Sequence, residues 1–267
     1  MNQRRDVMHL RKSTVLRKIR NGETAISIKL NLADSRVAEM AAMSGVDCIW
    51  IDMEHGLVDY NQAESMIRAA KVYDVDVITR TAKGSYNDLI KPFESDSTGI
   101  MIPHLMSLEE AKQIVYYTKF HPIGRRPIDG GNCDGKFCMV STADYIKESN
   151  EERFVIVQIE DPEPMAELEE ICALPGIDMI FFGPADYSQG IGNPCKIFNE
   201  ETLKARCLVA QTARMYGKMA GTVGNPTTFK ALQEEGFNFI NIGGDVRALA
   251  AHFANIVKEV RSFKIER

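Results

Sequence analysis

Short apolar runs, rich in β-branched and aromatic residues, recur along the chain. Between them lie stretches whose apolar residues repeat at helical spacing. The clearest case is residues 154–192. The runs FVIVQI (154–159) and IDMIFF (177–182) read as buried strands, each bounded by charges, Pro or Gly. Between them, Met165, Leu168, Ile171 and Cys172 recur with helical spacing, and Pro175-Gly176 stops the helix. A strand–helix–strand unit of this kind implies a parallel pair.

The same rhythm runs through the whole sequence. Further strands are expected at 24–30, 46–52, 75–81, 98–102, 218–223 and 237–242. Helices are expected at 7–20, 34–43, 61–72, 85–93, 108–118, 143–149, 200–216, 226–235 and 246–263. Asn21-Gly22, Gly45 and Gly236 act as helix stops, and Asp34 as an N-cap. Eight strand–helix repeats predict one (β/α)₈ TIM barrel over residues 1–267, with an N-terminal helix before it. An open, doubly wound sheet is the runner-up, but no GxGxxG follows the first strand to support dinucleotide binding. One segment breaks the rhythm. The stretch HPIGRRPIDGGNCDGKFCMVST, 121–142, makes a long loop after the helix at 108–118, and its length and Gly/Pro/Asp content suggest function or mobility.

Candidate chemistry collects where strands end. Side chains alternate along a strand, so Gln158 and Glu160 share a face at the end of 154–159. Asp186 follows the next strand just beyond Gly183-Pro184. Adjacent strands lie roughly 4.8 Å apart, so both carboxylates can reach one cation or one small substrate. Glu54 and His55 follow the strand at 46–52, and Arg80 ends the strand at 75–81. Taken singly, each has a plainer reading as a loop cap, a solvated charge or a hydrogen-bonded histidine. Together they fall on one rim, and barrel active sites lie at the C-terminal ends of the strands.

Two carboxylates with water suit Mg²⁺ or Mn²⁺. A divalent ion chelated by a 2-oxo acid polarises its carbonyl and stabilises an enolate. His55 can shuttle a proton near neutral pH, and Arg80 can hold a developing oxyanion. Backbone N–H groups around Gly183, Pro184, Ala185 and Asp186, at an expected helix start, can bind a substrate carboxylate.

Composition narrows the alternatives. With 267 residues, 45% of them hydrophobic, the chain can bury a large core. A formal net charge of −5 argues against a nucleic-acid partner. No apolar run approaches membrane-spanning length, and the N-terminus lacks a signal-peptide core. Six scattered cysteines without a CxxC pair suit a reducing, cytoplasmic setting.

The motifs WIDMEHG (50–56), RTAKGS (80–85), GIMIPHLMSLEEAKQIV (99–115), VQIE (157–160) and GPADYSQGIG (183–192) resemble those of the HpcH/HpaI aldolases. These are metal-dependent class II enzymes of the phosphoenolpyruvate/pyruvate barrel superfamily, and the resemblance runs from about Gly22 to Gly244. It implies Glu160 and Asp186 as ligands of Mg²⁺, Mn²⁺ or Co²⁺, and His55 as acid/base. It implies Arg80 at the substrate carbonyl and Gln158 beside it. Glu94 matches the acidic partner of the histidine best, with Asp96 and Asp52 as alternatives. The implied reaction is reversible cleavage of a 4-hydroxy-2-oxo acid to pyruvate, or an analogue, and an aldehyde, in a homo-oligomer expected to be a hexamer.

Four positions depart from the family's usual pattern. Gly124-Arg125-Arg126-Pro127 stands for Gly-x-Arg-Gly, Asp96-Ser97 for a Gly-Ala pair and Tyr187 for Leu. The loop DGGNCDG, 129–135, is an uncommon version. All four are expected near the substrate mouth or an interface. Competing readings are another lyase of the superfamily, such as one acting on CoA thioesters; a Schiff-base aldolase using Lys29 or Lys218; and a non-catalytic metabolite-binding barrel. The last helix repeats Leu249, Phe253, Ile256, Val257 and Val260, a pattern that fits packing either on the barrel or on a second copy.

Overall fold

The computed structural model describes residues 8–263. Eight parallel strands close into a barrel in chain order. They are β1 (Ala25–Leu30), β2 (Cys48–Asp52), β3 (Asp76–Arg80), β4 (Gly99–Ile102), β5 (Phe154–Ile159), β6 (Met179–Phe182), β7 (Met219–Val223) and β8 (Phe239–Gly244). Strands β2 to β6 are buried along their whole length. Burial on both faces is why they read as continuous apolar runs and not as alternating ones.

Helices α2 (Ser35–Met43), α3 (Tyr60–Lys71), α4 (Tyr86–Glu94), α5 (Leu108–Thr118), α6 (Thr142–Glu152), α7 (Leu168–Ala173), α9 (Glu200–Met215) and α10 (Phe229–Glu234) lie between successive strands in the chain. Asp34 caps α2 as expected, and other helix starts are capped as well. Asp59 and Gln62 form a capping box on α3, Ser107 caps α5 and Asn199 caps α9. Among the described residues, no helix is long and apolar enough to cross a membrane.

The expected N-terminal helix is shorter than its apolar spacing suggested. It is α1, Thr14–Arg20, because Ser13 takes the N-cap and its Oγ accepts from Leu16 N. Residue 7 of the expectation lies outside the described residues. Helix α1 plugs the bottom of the barrel. Val15, Leu16 and Ile19 pack on the interior layer of Trp50, Ile78, Met101, Phe154, Ile156 and Phe181. Each fully buried side chain of this size contributes roughly 1.5–3 kcal/mol. With the lower end filled, a cavity can open only at the C-terminal ends of the strands.

The long loop sits at the opposite end from that cavity. It follows α5 and leads through α6 into β5, and its buried side chains gather at the N-terminal end of the barrel. There Asp134 is fully buried. Its Oδ1 accepts from Arg153 Nε at 2.8 Å and its Oδ2 from Arg126 Nη2 at 3.1 Å. Asp96 gathers Lys136 at 2.7 Å and Arg153 at 3.1 Å. None of Asp96, Ser97, Tyr187 or residues 124–135 lines the cavity. Of the two places expected, a substrate mouth or an interface, the mouth within this chain is corrected: three of the four departures build a buried charge network beneath the barrel, and Tyr187 packs in the core.

The last helix, α11 (Asp245–Ser262), does not pack on its own barrel. Asp245 is its only buried residue, while Phe253 and Val260 are 58% and 61% exposed. Asp245 anchors the start of the helix by accepting from the N–H groups of Asn31 and Leu32, at 3.0 and 2.9 Å.

Candidate active site

A cavity of about 780 Å³ opens at the C-terminal rim, and Lys29, Trp50, His55, Arg80, Gln158, Glu160 and Asp186 all reach it. Strand register explains most of the site. Asp52 and Arg80 are opposite neighbours on β2 and β3, and Gln158 faces Phe181 across β5 and β6. The next step along that second pair sets Glu160 beside Gly183. A Cβ on residue 183 would lie 2.6 Å from Glu160 Oε2, so glycine is required for the carboxylate to stand there.

Asp52 is the hub of the floor. Oδ2 receives Arg80 Nη2 at 2.7 Å, Lys29 Nζ at 2.5 Å and Asn31 Nδ2 at 3.2 Å. Oδ1 receives Arg80 Nε at 3.0 Å and the backbone N–H groups of Glu54 and His55 at 3.2 and 3.3 Å. Burial alone would raise the Asp52 pKa. The donors of Arg80 and Lys29 outweigh it and hold the carboxyl well below the usual range. Arg80 also stacks over Trp50, with Cζ 4.9 Å from the ring centre, and turns Nη1 toward Gln158 Oε1 at 3.4 Å.

Glu160 is 2% exposed. Its Oε1 accepts from the backbone N–H of His104 at 2.9 Å and its Oε2 from Gln158 Nε2 at 3.1 Å. Burial pushes its pKa up to about 6 despite those donors and the nearby charges of His104 and Arg80. A desolvated carboxylate aimed at a cavity is one that a cation would stabilise, and hard oxygens suit a divalent ion. Asp186 lies in the first turn of α8 (Pro184–Gly190), half-buried, and lines the same cavity. Among the described residues, no three His, Cys, Asp or Glu side chains converge as a ready cage. The protein would thus supply two carboxylates, leaving the other ligand positions to substrate and water.

His55 stands at the rim with its side chain 61% exposed. Its backbone is fixed by Asp52 and by Gly56, where a Cβ would meet Asp52 O at 2.3 Å. The carboxylate nearest the ring is Glu54, with Oε2 3.7 Å from Nε2. Glu54 Oε2 is also 3.0 Å from Arg80 Nε, but that N–H is aimed at Asp52. Glu54 Oε2 is therefore buried without a hydrogen-bond partner.

Three expectations are corrected. Glu94 does not partner His55 within the chain. It ends α4, which runs against the strands, so it lies at the opposite end of the barrel, paired with Lys91 at 2.7 Å. Asp96 lies at that same end, and Asp52 meets the backbone of His55 instead of its ring. Nor is the N–H of Gly183 free for a substrate, because it donates to Ile159 O at 3.0 Å, and Pro184 has none. The first-turn donors left are Ala185 and Asp186. Lys218 donates to the carbonyls of Leu174 and Ile177 at the closed end, away from the cavity. Lys29 does reach the cavity, clamped by Asp52.

Residues 28–251 match the family described as HpcH/HpaI aldolase/citrate lyase. The chain belongs to this family. A 2-keto-3-deoxy-L-rhamnonate aldolase from Salmonella dublin is 28% identical over 228 residues, 85% of each chain. The solved HpcH/HpaI aldolase from Desulfitobacterium hafniense DCB-2 superposes with a TM-score of 0.88 at 25% identity, covering 93% of this chain and 97% of its own. An aldolase/citrate lyase family protein from Burkholderia cenocepacia J2315 gives 0.86 at 26%, covering 94% and 100%. This HpcH/HpaI protein is a carbon–carbon lyase of the aldehyde-lyase type.

Two residues at the HpcH/HpaI site, Trp50 and His104, were not among those expected to build it. Trp50 went unremarked although it alternates with Cys48 and Asp52 on β2, a parity that turns it inward. His104 follows β4 as His55 follows β2, and its ring Nδ1 pairs with Asp161 Oδ2 at 2.8 Å. It was readable only as one residue of a family motif.

Proposed function

We propose that the protein reversibly cleaves a 4-hydroxy-2-oxo acid to pyruvate, or a pyruvate analogue, and an aldehyde, using a divalent cation held by Glu160 and Asp186. The observation that carries this reading is the meeting of His55, Arg80, Gln158, Glu160 and Asp186 on one cavity. Mg²⁺, Mn²⁺ or Co²⁺ there would polarise the 2-oxo group and stabilise negative charge as the bond breaks.

The chain's own residues do the rest. Arg80, locked by Asp52, directs its remaining donor at the 2-oxo oxygen. Gln158 orients Glu160. Ala185 and Asp186 offer N–H groups to the substrate carboxylate. His55 takes the 4-hydroxyl proton, C4 becomes the aldehyde carbonyl, and the C3–C4 electron pair passes to the oxo-acid half. Proton return to C3 releases pyruvate. Relatives named for a 2-keto-3-deoxy acid support a substrate whose C3 methylene becomes that methyl group. A pyruvate-release assay across a panel of 4-hydroxy-2-oxo acids, with and without chelator, tests the reading. Release untouched by exhaustive metal removal, or no release at all, would overturn it.

The six free cysteines fit a reducing cytoplasmic setting. The exposed apolar face of α11, together with the partly buried Ile26, Ile28 and Ile242 on the outer wall, supports assembly with further copies of this chain. We expect a hexamer. Sedimentation as a monomer at micromolar concentration would sink that expectation.

A further inference from the structure

The loop after β4 carries a histidine in a conformation few residues accept. His104 has φ 50°, inside the left-handed region that favours glycine. Such a backbone persists only where its surroundings over-determine it. Here they do. The ring Nδ1 is held by Asp161 at 2.8 Å, and the carbonyl of His104 takes the Lys83 ammonium. Leu105 N–H donates to Gln158 O at 3.2 Å, stitching the loop to β5. The consequence falls on Glu160. In this conformation the N–H of His104 points at Glu160 Oε1 from 2.9 Å, while Gln158 holds Oε2.

We propose that His104 is a positioning residue: its ring, anchored on Asp161, holds a strained backbone whose N–H sets the orientation of the Glu160 carboxylate toward the divalent cation. The inference rests on Glu160 as a metal ligand. Its route is specific. The ring acts through the backbone, and the backbone acts on Oε1. The ring's own approach to Glu160, 3.9 Å from Nε2 to Oε1, is too long for a hydrogen bond.

The route predicts an ordering of variants that loss of structure alone would not produce. His104→Ala removes the anchor and penalises the left-handed backbone, so the N–H should swing away. His104→Gly also removes the anchor but adopts that backbone freely, so the N–H should stay. His104→Asn tolerates the conformation and can still reach a carboxylate. Mn²⁺ binding to the full-length protein, followed by electron paramagnetic resonance, reads the result without any turnover. His104→Ala should weaken binding on the order of 10–100-fold, the usual cost of losing a partner that orients a ligand. His104→Gly and His104→Asn should recover most of that loss and restore the wild-type spectrum. Wild-type affinity in His104→Ala would overturn the proposal, and so would His104→Gly binding as weakly as His104→Ala. Should His104→Ala fail to fold, the Gly and Asn variants decide: binding near wild type supports the route, and binding weakened tenfold or more in both overturns it. If wild type itself takes up no Mn²⁺, Glu160 is not a ligand, and the wider reading of the site falls together with this one.

Discussion

Asp52 and Arg80 face each other across β2 and β3, and their side chains close a two-point ion pair, Nε to Oδ1 at 3.0 Å and Nη2 to Oδ2 at 2.7 Å. Both side chains are almost wholly buried. The pair uses two of the three guanidinium nitrogens and leaves Nη1 for the cavity. Asp52 thus fixes other groups at the cavity: Arg80, Lys29 and the turn that carries His55.

Removing that anchor has a predictable cost. Asp52→Asn leaves two cations without their charge partner, and breaking a buried pair from one side typically costs about 3–5 kcal/mol. The midpoint of urea unfolding should fall accordingly. The acid side gives a second signature. A carboxyl whose folded pKa lies below its unfolded value of about 3.9 lends stability above that pH and loses it as pH falls further. Wild type should therefore lose stability below about pH 4 more steeply than Asp52→Asn does.

Arg80→Lys keeps one charge and loses the fork. A lysine cannot satisfy both oxygens of Asp52 and also present a directed donor to the cavity. The variant should lower kcat on the order of a hundredfold, with a smaller change in KM, as expected for an interaction made chiefly in the transition state. An unchanged kcat would make Arg80 a structural residue only.

With Glu160 as a metal ligand, as proposed, metal binding should depend on pH. Its pKa is raised from 4.5 to about 6, chiefly by burial, so in the metal-free protein a proton occupies the carboxylate below that point. Mn²⁺ must displace the proton, and affinity should fall by about tenfold per pH unit below 6 and level off above it. Stability of the metal-free protein runs the other way. A raised carboxyl pKa stabilises the fold below the unfolded value and loses that contribution as pH rises through 6. Thermal unfolding at pH 5 and pH 7, with and without Mn²⁺, should show the metal rescuing the higher pH more. Glu160→Gln should flatten both effects.

The fold was legible because strand and helix periods alternate eight times, and the rim residues were legible because they follow strands. What stayed hidden depends on register and direction. Nothing in the spacing of Asp52 and Arg80 says that they stand opposite each other. Glu94 matched a family role by position, yet α4 carries it to the far end of the barrel. The composition of the loop at 121–142 suggested function or mobility but not place; its buried residues Arg126 and Asp134 pair with each other and with Arg153, at the closed end. The apolar repeat of α11 says only that the face is covered, not by what. His104 stood in a family motif but its role left no signal, because a left-handed backbone at a non-glycine residue is visible only in three dimensions.

His55 is the remaining test of mechanism. Cleavage needs a base for the 4-hydroxyl proton, and the reverse reaction needs an acid. The ring stands at the rim, its backbone is fixed by Asp52, and Nε2 lies 3.7 Å from Glu54 Oε2, so the imidazole is placed but not consumed by a hydrogen bond. His55→Ala should lose aldol cleavage by about 10²–10⁴-fold, the usual contribution of a positioned acid/base. Because the ring holds neither Glu160 nor Asp186, the variant should bind Mn²⁺ and pyruvate as wild type does. Glu160→Ala should lose both binding and turnover, and that contrast separates the base from the ligand. The exposed ring also buries little, so the unfolding temperature of His55→Ala should barely move. Profiles of kcat/KM against pH for the two enzymes decide the matter: a variant that keeps the wild-type acid limb would show that another group takes the proton.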